Sequence, residues 1–424
     1  MNRRTILKKI GLGVANIPFI GFDQQPDIIS KDWRGLFTED KIKDESFWKK
    51  FRREFYEVSG DFINLENGYF GVHPKPVHRA YVQYIEKVNS FSSRYMRTEY
   101  LKDFESIITG LATFTGVDKE ELLITRNATE AMNILIQGLD LKKGDEIILH
   151  RQDYPSMIET FEMLARRNGL KLRFIRIPLI PESDEQIVSL YKEAVTPATR
   201  CILLTHMIHL TGQLLPVKKI ADTLKPKGIT IILDAAHSFA QVDFKLMDLG
   251  VDFVGVNLHK WFSNPLGAGM LYVKKEKISD LNPFFGDNSK DALDISKLGH
   301  FGTLATPILL TIPASQAFNE LVTIPVKEKR LRYLQNYWTR EAAKIPRVTI
   351  TTPIEPNRSC ALASFQVAGM PASEVVHQLN ERYRVFTVIR QLEEEQVVRV
   401  TPNLYNHPGE LDVLLEGIES LARR

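Results

Sequence analysis

Short apolar runs that end on a polar or small residue recur through the middle of the chain. They span Glu121 to Thr125, Asp145 to Leu149, Lys171 to Ile177, Arg200 to Thr205, Ile229 to Leu233, Val251 to Val256 and Ala268 to Val273. Runs this short, apolar rather than alternating, predict strands buried on both faces. Between them, Pro155 to Asn168 and Asp184 to Ala194 carry helical patterning. The alternation predicts a mostly parallel sheet of seven strands covered by helices, with the last strand running back after the turn Asn264-Pro265-Leu266-Gly267.

The flanks read differently. Asp44 to Val58 and Val77 to Asn89 predict helices, and Phe62 to Gly71 predicts an extended segment entering a turn. After a loop-rich stretch from Lys277 to His300, helices over Ile308 to Val322 and Val326 to Lys344 bridge to a second unit. That unit reads strand (Val348 to Thr352), strand (Ala361 to Val367), helix (Pro371 to Arg382), strand (Val385 to Ile389), strand (Val397 to Val400) and helix (Gly409 to Ala422). The expected division is a signal or tail over 1–25, an arm over 26–75, a large domain over 76–310 and a small α+β domain over 311–424.

Composition narrows the partners. A net charge of +3 in 424 residues gives no reason to expect nucleic acid. Cys201 and Cys360 are too few for a disulfide framework, and no run approaches the ~18 apolar residues of a membrane span. Asn2-Arg3-Arg4-Thr5 before the apolar Ile10 to Phe22 resembles a twin-arginine export signal, with a plain basic tail as the alternative. The expected location is periplasmic in the first case and cytoplasmic in the second. Gly11-Leu12-Gly13 has no preceding strand and no third glycine, so it is not a dinucleotide fingerprint.

In open α/β sheets ligands bind beyond the carboxyl ends of strands. Two residues there carry a chemistry: Asp234 after one apolar run and Lys260 after the next. Pyridoxal 5′-phosphate (PLP) needs a lysine amine for its aldehyde and a carboxylate to keep its ring nitrogen protonated. Asn127-Ala128-Thr129-Glu130 feeds a helix N-terminus, a ready phosphate cradle, although Asn127 or Thr129 could equally be a cap. Tyr154 could stack on a flat ring, and His206, at a strand end, could reach the cofactor's phenolic oxygen. His206 and His209 lack the spacing and the neighbouring carboxylate of a zinc site, so no metal is expected. Arg390 and Arg399, both at strand ends, suit a carboxylate.

Several motifs recur in order: Asn64-x-x-Asn67-Gly68, Asn127-Ala128-Thr129-Glu130-Ala131, Asp153-Tyr154-Pro155-Ser156, Asp234-Ala235-Ala236-His237, His259-Lys260 and Arg399-x-Thr401-Pro402-x-x-Tyr405-Asn406. Together they resemble the class V aminotransferase family of PLP fold type I, most closely its isopenicillin N epimerase-like branch. The resemblance implies that Lys260 bonds the cofactor and moves protons at the substrate α-carbon, with Asp234 on the ring nitrogen and His237 beside it. It implies Ala128, Thr129, Asn257 and His259 around the phosphate, with Arg399 and Asn67 at the substrate. Gly302 and Thr303 would reach the phosphate across a homodimer interface.

The desulfurase branch carries a nucleophilic cysteine between the two C-terminal strands, where this chain has Gln391-Leu392-Glu393-Glu394-Glu395-Gln396. It also has histidine where Tyr154 stands. The expected activity is PLP chemistry at the α-carbon of an amino acid: transamination, epimerisation or elimination including C–S cleavage. The competing classes are a non-catalytic PLP-fold binding protein, which retention of Lys260 and Asp234 disfavours, and a nucleotide-binding enzyme, which the glycine-free Thr125 to Ala131 disfavours.

Overall fold

The structure is a computed structural model that describes residues 31–286 and 291–423, so the twin-arginine-like segment lies outside the described residues. A two-residue strand, β1 (Ile63–Asn64), precedes the central sheet. The central strands are β2 (Leu122–Thr125), β3 (Glu146–His150), β4 (Lys171–Ile175), β5 (Thr199–Thr205), β6 (Thr230–Asp234), β7 (Phe253–Asn257) and β8 (Gly269–Val273). They form one seven-stranded sheet in the order β2-β8-β7-β6-β5-β3-β4. Only β8 runs against its neighbours, pairing antiparallel with β2 and β7. This is the expected mostly parallel sheet. At its edge, β4 exposes Lys171 and Arg173, charges that discourage pairing with another chain.

Register brings the functional ends level. Thr205 pairs with Asp234, and Asp234 with Gly255, so β5, β6 and β7 stop at one rim. Apolar side chains from both faces fill two large clusters, one under helices such as Ala128–Gly138 and Pro155–Asn168 and one under the opposite layer. Gly269 matters to this packing: a Cβ there would lie 2.5 Å from the Asn127 carbonyl carbon, so only glycine lets that helix start so close to β8.

A second sheet holds β9 (Val348–Ile350), β10 (Ala363–Val367), β12 (Val388–Leu392) and β13 (Glu395–Val400), antiparallel in the order β12-β13-β10-β9. The expected single strand from Val385 to Ile389 is two: β11 (Val385–Phe386) leaves this sheet to pair parallel with β1. The same N-terminal segment continues past β1 to bridge Glu66 with Thr401.

Helices depart from expectation at four places, one of them Val217–Leu224, which was not anticipated. The helix expected over Val77 to Asn89 starts at Lys75 and runs to a kink at Ser92 (φ 39°), beyond which helical turns reach Thr98, and Tyr100–Thr115 follows without having been anticipated. Its start carries no side-chain cap, and so no sequence signal marked it. The expected Ile308 to Val322 helix is broken at Thr311, just before Pro313, into Thr306–Leu310 and Ile312–Val322.

Candidate active site

The rim where β5, β6 and β7 end opens into a cleft of about 180 Å³. Tyr69, Ala128, Thr129, Tyr154, His209, Asp234, His237, Asn257, His259 and Lys260 are among its walls. Of the thirteen residues expected at the site, eight therefore share one cavity.

Lys260 follows β7 in a loop that is held from below. Lys327 donates to the Trp261 carbonyl and, at 2.9 Å, to Asn319 Oδ1, while Asn319 Nδ2 donates to the Phe262 carbonyl at 2.9 Å. Helices Ile312–Val322 and Ile324–Ala342 thus anchor the lysine loop. Lys260 Nζ lies 2.9 Å from His237 Nε2. Burial lowers the lysine to about 7, against the opposing pull of Asp234. Burial also drives His237 far below its usual value, with the Lys260 charge adding to the effect. Two basic nitrogens therefore share this contact, and repulsion disfavours a proton on each. Asp234 accepts the Ala236 N–H at 2.9 Å, and burial raises its carboxyl despite that bond and Lys260.

The helix start at Ala128 is a cradle with fewer open donors than expected. Asn257 Oδ1 accepts the Ala128 N–H at 2.7 Å, and Asn127 Oδ1 accepts that of Glu130 at 2.8 Å. Among these first N–H groups, that of Thr129 remains without a bond among the described residues. Asn257 Oδ1 and the Ala128 N–H consequently hold each other, and the donors left open among the described residues are the Thr129 N–H and hydroxyl and the Asn257 side-chain Nδ2. His259 donates Nδ1–H to the Ala268 carbonyl at 3.1 Å, and burial lowers its pKa to about 4.

Tyr154 lines the cleft with its ring 5.3 Å from His209, edge to face. His206 does not. Thr205 closes β5 facing the cavity, and successive strand residues face opposite ways. The His206 ring accordingly lies 4.9 Å from Phe244, on the other side. His209, three positions on, takes the cleft wall with a buried Nδ1 that has no partner.

Asn67 is also displaced from its expected place. Its Nδ2 donates to the Thr401 carbonyl at 2.9 Å and its Oδ1 accepts the Tyr405 hydroxyl at 2.7 Å. Its amide is spent joining the N-terminal segment to the chain after β13. Arg399 is fully buried, with Nη1 donating to the His209 carbonyl at 2.7 Å and Nη2 to Glu66 Oε1 at 2.6 Å. Gly302 and Thr303 are exposed and stand outside the cleft of the single chain.

The expected site lacked Tyr69, Glu66 and His209. Lys260 Nζ sits 5.0 Å from the Tyr69 ring centroid, with Arg390 at 4.8 Å and Arg399 at 5.3 Å. Two guanidinium groups and the buried lysine around one ring are a signal that no spacing in the sequence carries. Cys201 and Cys360 are both buried, both pushed up to about 12 by burial, and neither lines the cleft.

A buried lysine and carboxylate at the carboxyl rim of a parallel sheet, beside a helix start with an open N–H, define the PLP-binding class of fold type I. The donors fit that cofactor: Thr129 for the phosphate, Asp234 for the ring nitrogen and Lys260 for the aldehyde. The chain belongs to the class V aminotransferase family, matching Aminotransferase class-V over residues 72–407. It is 28% identical over 328 residues to isopenicillin N epimerase of Streptomyces clavuligerus, covering 73% of this chain and 82% of that one. It is 24% identical over 393 residues to a probable cysteine desulfurase of Synechocystis, covering 87% and 93%.

Among solved structures, the apo cysteine desulfurase of Thermococcus onnurineus superposes with a TM-score of 0.78 at 21% identity, over 88% of this chain and 98% of that one. A C-DES mutant with glycine covalently linked to its PLP cofactor gives 0.77 at 22%, over 87% and 98%. These likenesses establish the fold. The protein is a PLP-dependent enzyme of class V.

Proposed function

We propose that the enzyme acts on an amino acid by moving a proton at its α-carbon. The observation that carries this reading is the 2.9 Å contact between Lys260 Nζ and His237 Nε2, with Asp234 in the same cleft. Bound PLP supplies an electron-accepting ring that acidifies the α-carbon. Lys260, lowered by burial to about 7, can be a free base near neutrality and take that proton. His237 Nε2 is within reach to receive or return it. Thr129 would hold the phosphate, Asp234 the ring nitrogen, and Tyr154 would lie beside the ring; His259, neutral and with its Nδ1–H given to the Ala268 carbonyl, would stand nearby with no proton on Nε2 to donate. Arg399 offers its remaining donors to the substrate carboxylate, and the carbonyl of His209 and Glu66 fix its fork.

Where the proton returns decides the product. Return to the opposite face of the same carbon gives an epimer, a reading supported by the name of the Streptomyces relative. Transamination and C–S elimination begin with the same proton removal. A desulfurase step on an enzyme thiol is disfavoured, because both cysteines are buried away from the cleft. Exposure of Gly302 and Thr303 supports a homodimer in which each copy lends this segment to the other's phosphate site.

The test is exchange of the α-hydrogen in deuterated water with a panel of L- and D-amino acids, followed by chiral and ketoacid analysis. Exchange with at least one substrate is expected. A PLP-loaded protein that exchanges none would remove the reading.

A further inference from the structure

Beside the cleft, two remote parts of the chain bring opposite charges together. Glu66 comes from the N-terminal segment, Arg390 from β12 and Arg399 from β13. Glu66 Oε1 lies 2.6 Å from Arg399 Nη2 and 3.7 Å from Arg390 Nη2. The Tyr69 ring lies against both guanidinium groups and, 5.0 Å away, against Lys260 Nζ. A ligand whose α-carbon meets Lys260 and whose carboxylate meets Arg399 must therefore lie along this ring. Gly68 makes the approach possible, since a Cβ there would stand 2.9 Å from Arg399 Nη2.

The cluster is incompletely satisfied. Among the described residues, Arg399 Nε, Arg390 Nε and Glu66 Oε2 are all buried without a hydrogen-bond partner. Unpaired buried donors on both arginines call for an anion from outside. Arg390 itself spends only Nη1, on the Ile389 carbonyl at 2.9 Å. Two guanidinium charges against one carboxylate leave a single positive charge, which one incoming carboxylate balances. A second acid group would meet Glu66 in a region with little water to screen it.

We propose that Glu66 sets the capacity of the substrate subsite at one carboxylate and so selects against amino acids with an acidic side chain. The inference rests on the amino-acid reading above. Glu66 is a specificity residue acting through the arginines, not on the reacting carbon. With it in place, Arg390 is shared with an internal anion. Without it, Arg390 is free to take a distal carboxylate. Discrimination of this kind comes from an unfavourable charge built against the wrong ligand.

The test titrates the PLP-loaded protein with L-norvaline and L-glutamate, which share a carbon chain and differ in the distal carboxylate, following visible absorption. The wild type is expected to favour norvaline. Glu66→Gln, which keeps an acceptor for Arg399, should shift the affinity ratio toward glutamate by about tenfold or more. Glu66→Asp, which keeps the charge, should retain the wild-type preference. The double variant Glu66→Gln/Arg390→Gln restores one net positive charge and should return to that preference as well.

Equal weakening of both ligands in Glu66→Gln would overturn the proposal, as would a double variant that still favours glutamate. If Glu66→Gln does not fold, Arg390→Gln alone decides: norvaline affinity should fall by about tenfold as the subsite loses its net charge, and an unchanged value overturns the assignment. Absorption changes with an unaltered ratio remove only the role of Glu66. No change with either ligand or with any other amino acid removes the amino-acid reading and this inference with it.

Discussion

The two walls of the active site are built in opposite ways. The wall proposed for the cofactor takes Asp234 from the end of β6, Lys260 and Asn257 from the end of β7 and its loop, and Thr129 from the helix after β2. Each follows an apolar run by a few residues, and the sheet alone levels them at one rim. The wall proposed for the substrate joins Glu66 to Arg399, 333 residues apart, through β1, β11 and the bridge from Glu66 to Thr401. The first wall is set by a local rule of α/β sheets. The second exists only because the two ends of the chain lie side by side. A change on the cofactor wall should therefore strike the chemistry itself, and one on the substrate wall should strike binding.

The largest effect expected on that basis is Lys260→Ala. Removing the base and the cofactor's anchor should lower turnover by about four orders of magnitude or more, with no cofactor left bound after borohydride reduction. Next comes Asp234→Ala, expected to cost about a thousandfold in kcat at nearly constant KM, because in the proposed reading the carboxylate would support the ring and not touch the substrate carboxylate. A rise in KM with kcat intact would place Asp234 on the wrong wall and break the comparison.

This division also explains what was legible in advance. The strands of the large sheet, and Asp234, Lys260, His237, Thr129 and Tyr154 near their ends, follow from apolar runs and from motif order. His206 failed for a reason of period: it is one step past Thr205, and one step along a strand reverses the face. Asn67 failed because its motif marks a strap between chain ends, which Thr401 and Tyr405 satisfy completely. Ala128 and Asn257 line the cleft, but the Ala128 N–H is taken by Asn257 Oδ1. Glu66 and Tyr69 had no sequence signal, since their meaning comes from residues far along the chain: Arg399 for Glu66, and Lys260, Arg390 and Arg399 for Tyr69.

On the substrate wall, Arg399→Ala should cost about 2–3 kcal/mol in binding, read as roughly a hundredfold rise in KM with little change in kcat. It should also lower the melting temperature, because Glu66, which is 7% exposed, loses its closest cation. Arg399→Lys should recover part of the stability and less of the affinity, since a lysine supplies charge without the fork. A variant that loses stability but keeps its KM would make Arg399 a structural strut between the chain ends and no part of recognition.

The smallest effect is a pH profile, and it isolates the cofactor wall without any substitution. Lys260 titrates at about 7 rather than at the ordinary 10.5, because burial penalises the ammonium more than Asp234 supports it. The free amine is the form that attacks an aldehyde. Below about pH 7 each unit of acidification should cut the rate of PLP capture by the cofactor-free protein about tenfold; above about pH 8 the rate should be flat, as the amine is then mostly unprotonated. An unperturbed lysine would instead keep gaining rate up to about pH 10. Mixing the cofactor-free protein with PLP and following absorbance across this range distinguishes the two. His237 sharpens the measurement, because its Nε2 is the nearest nitrogen that can hold the proton Lys260 gives up. His237→Phe removes that nitrogen but not the burial, so it should leave the midpoint near 7 if desolvation dominates. A midpoint that climbs toward 10 in that variant would show that the histidine, and not the buried rim, keeps the lysine a base.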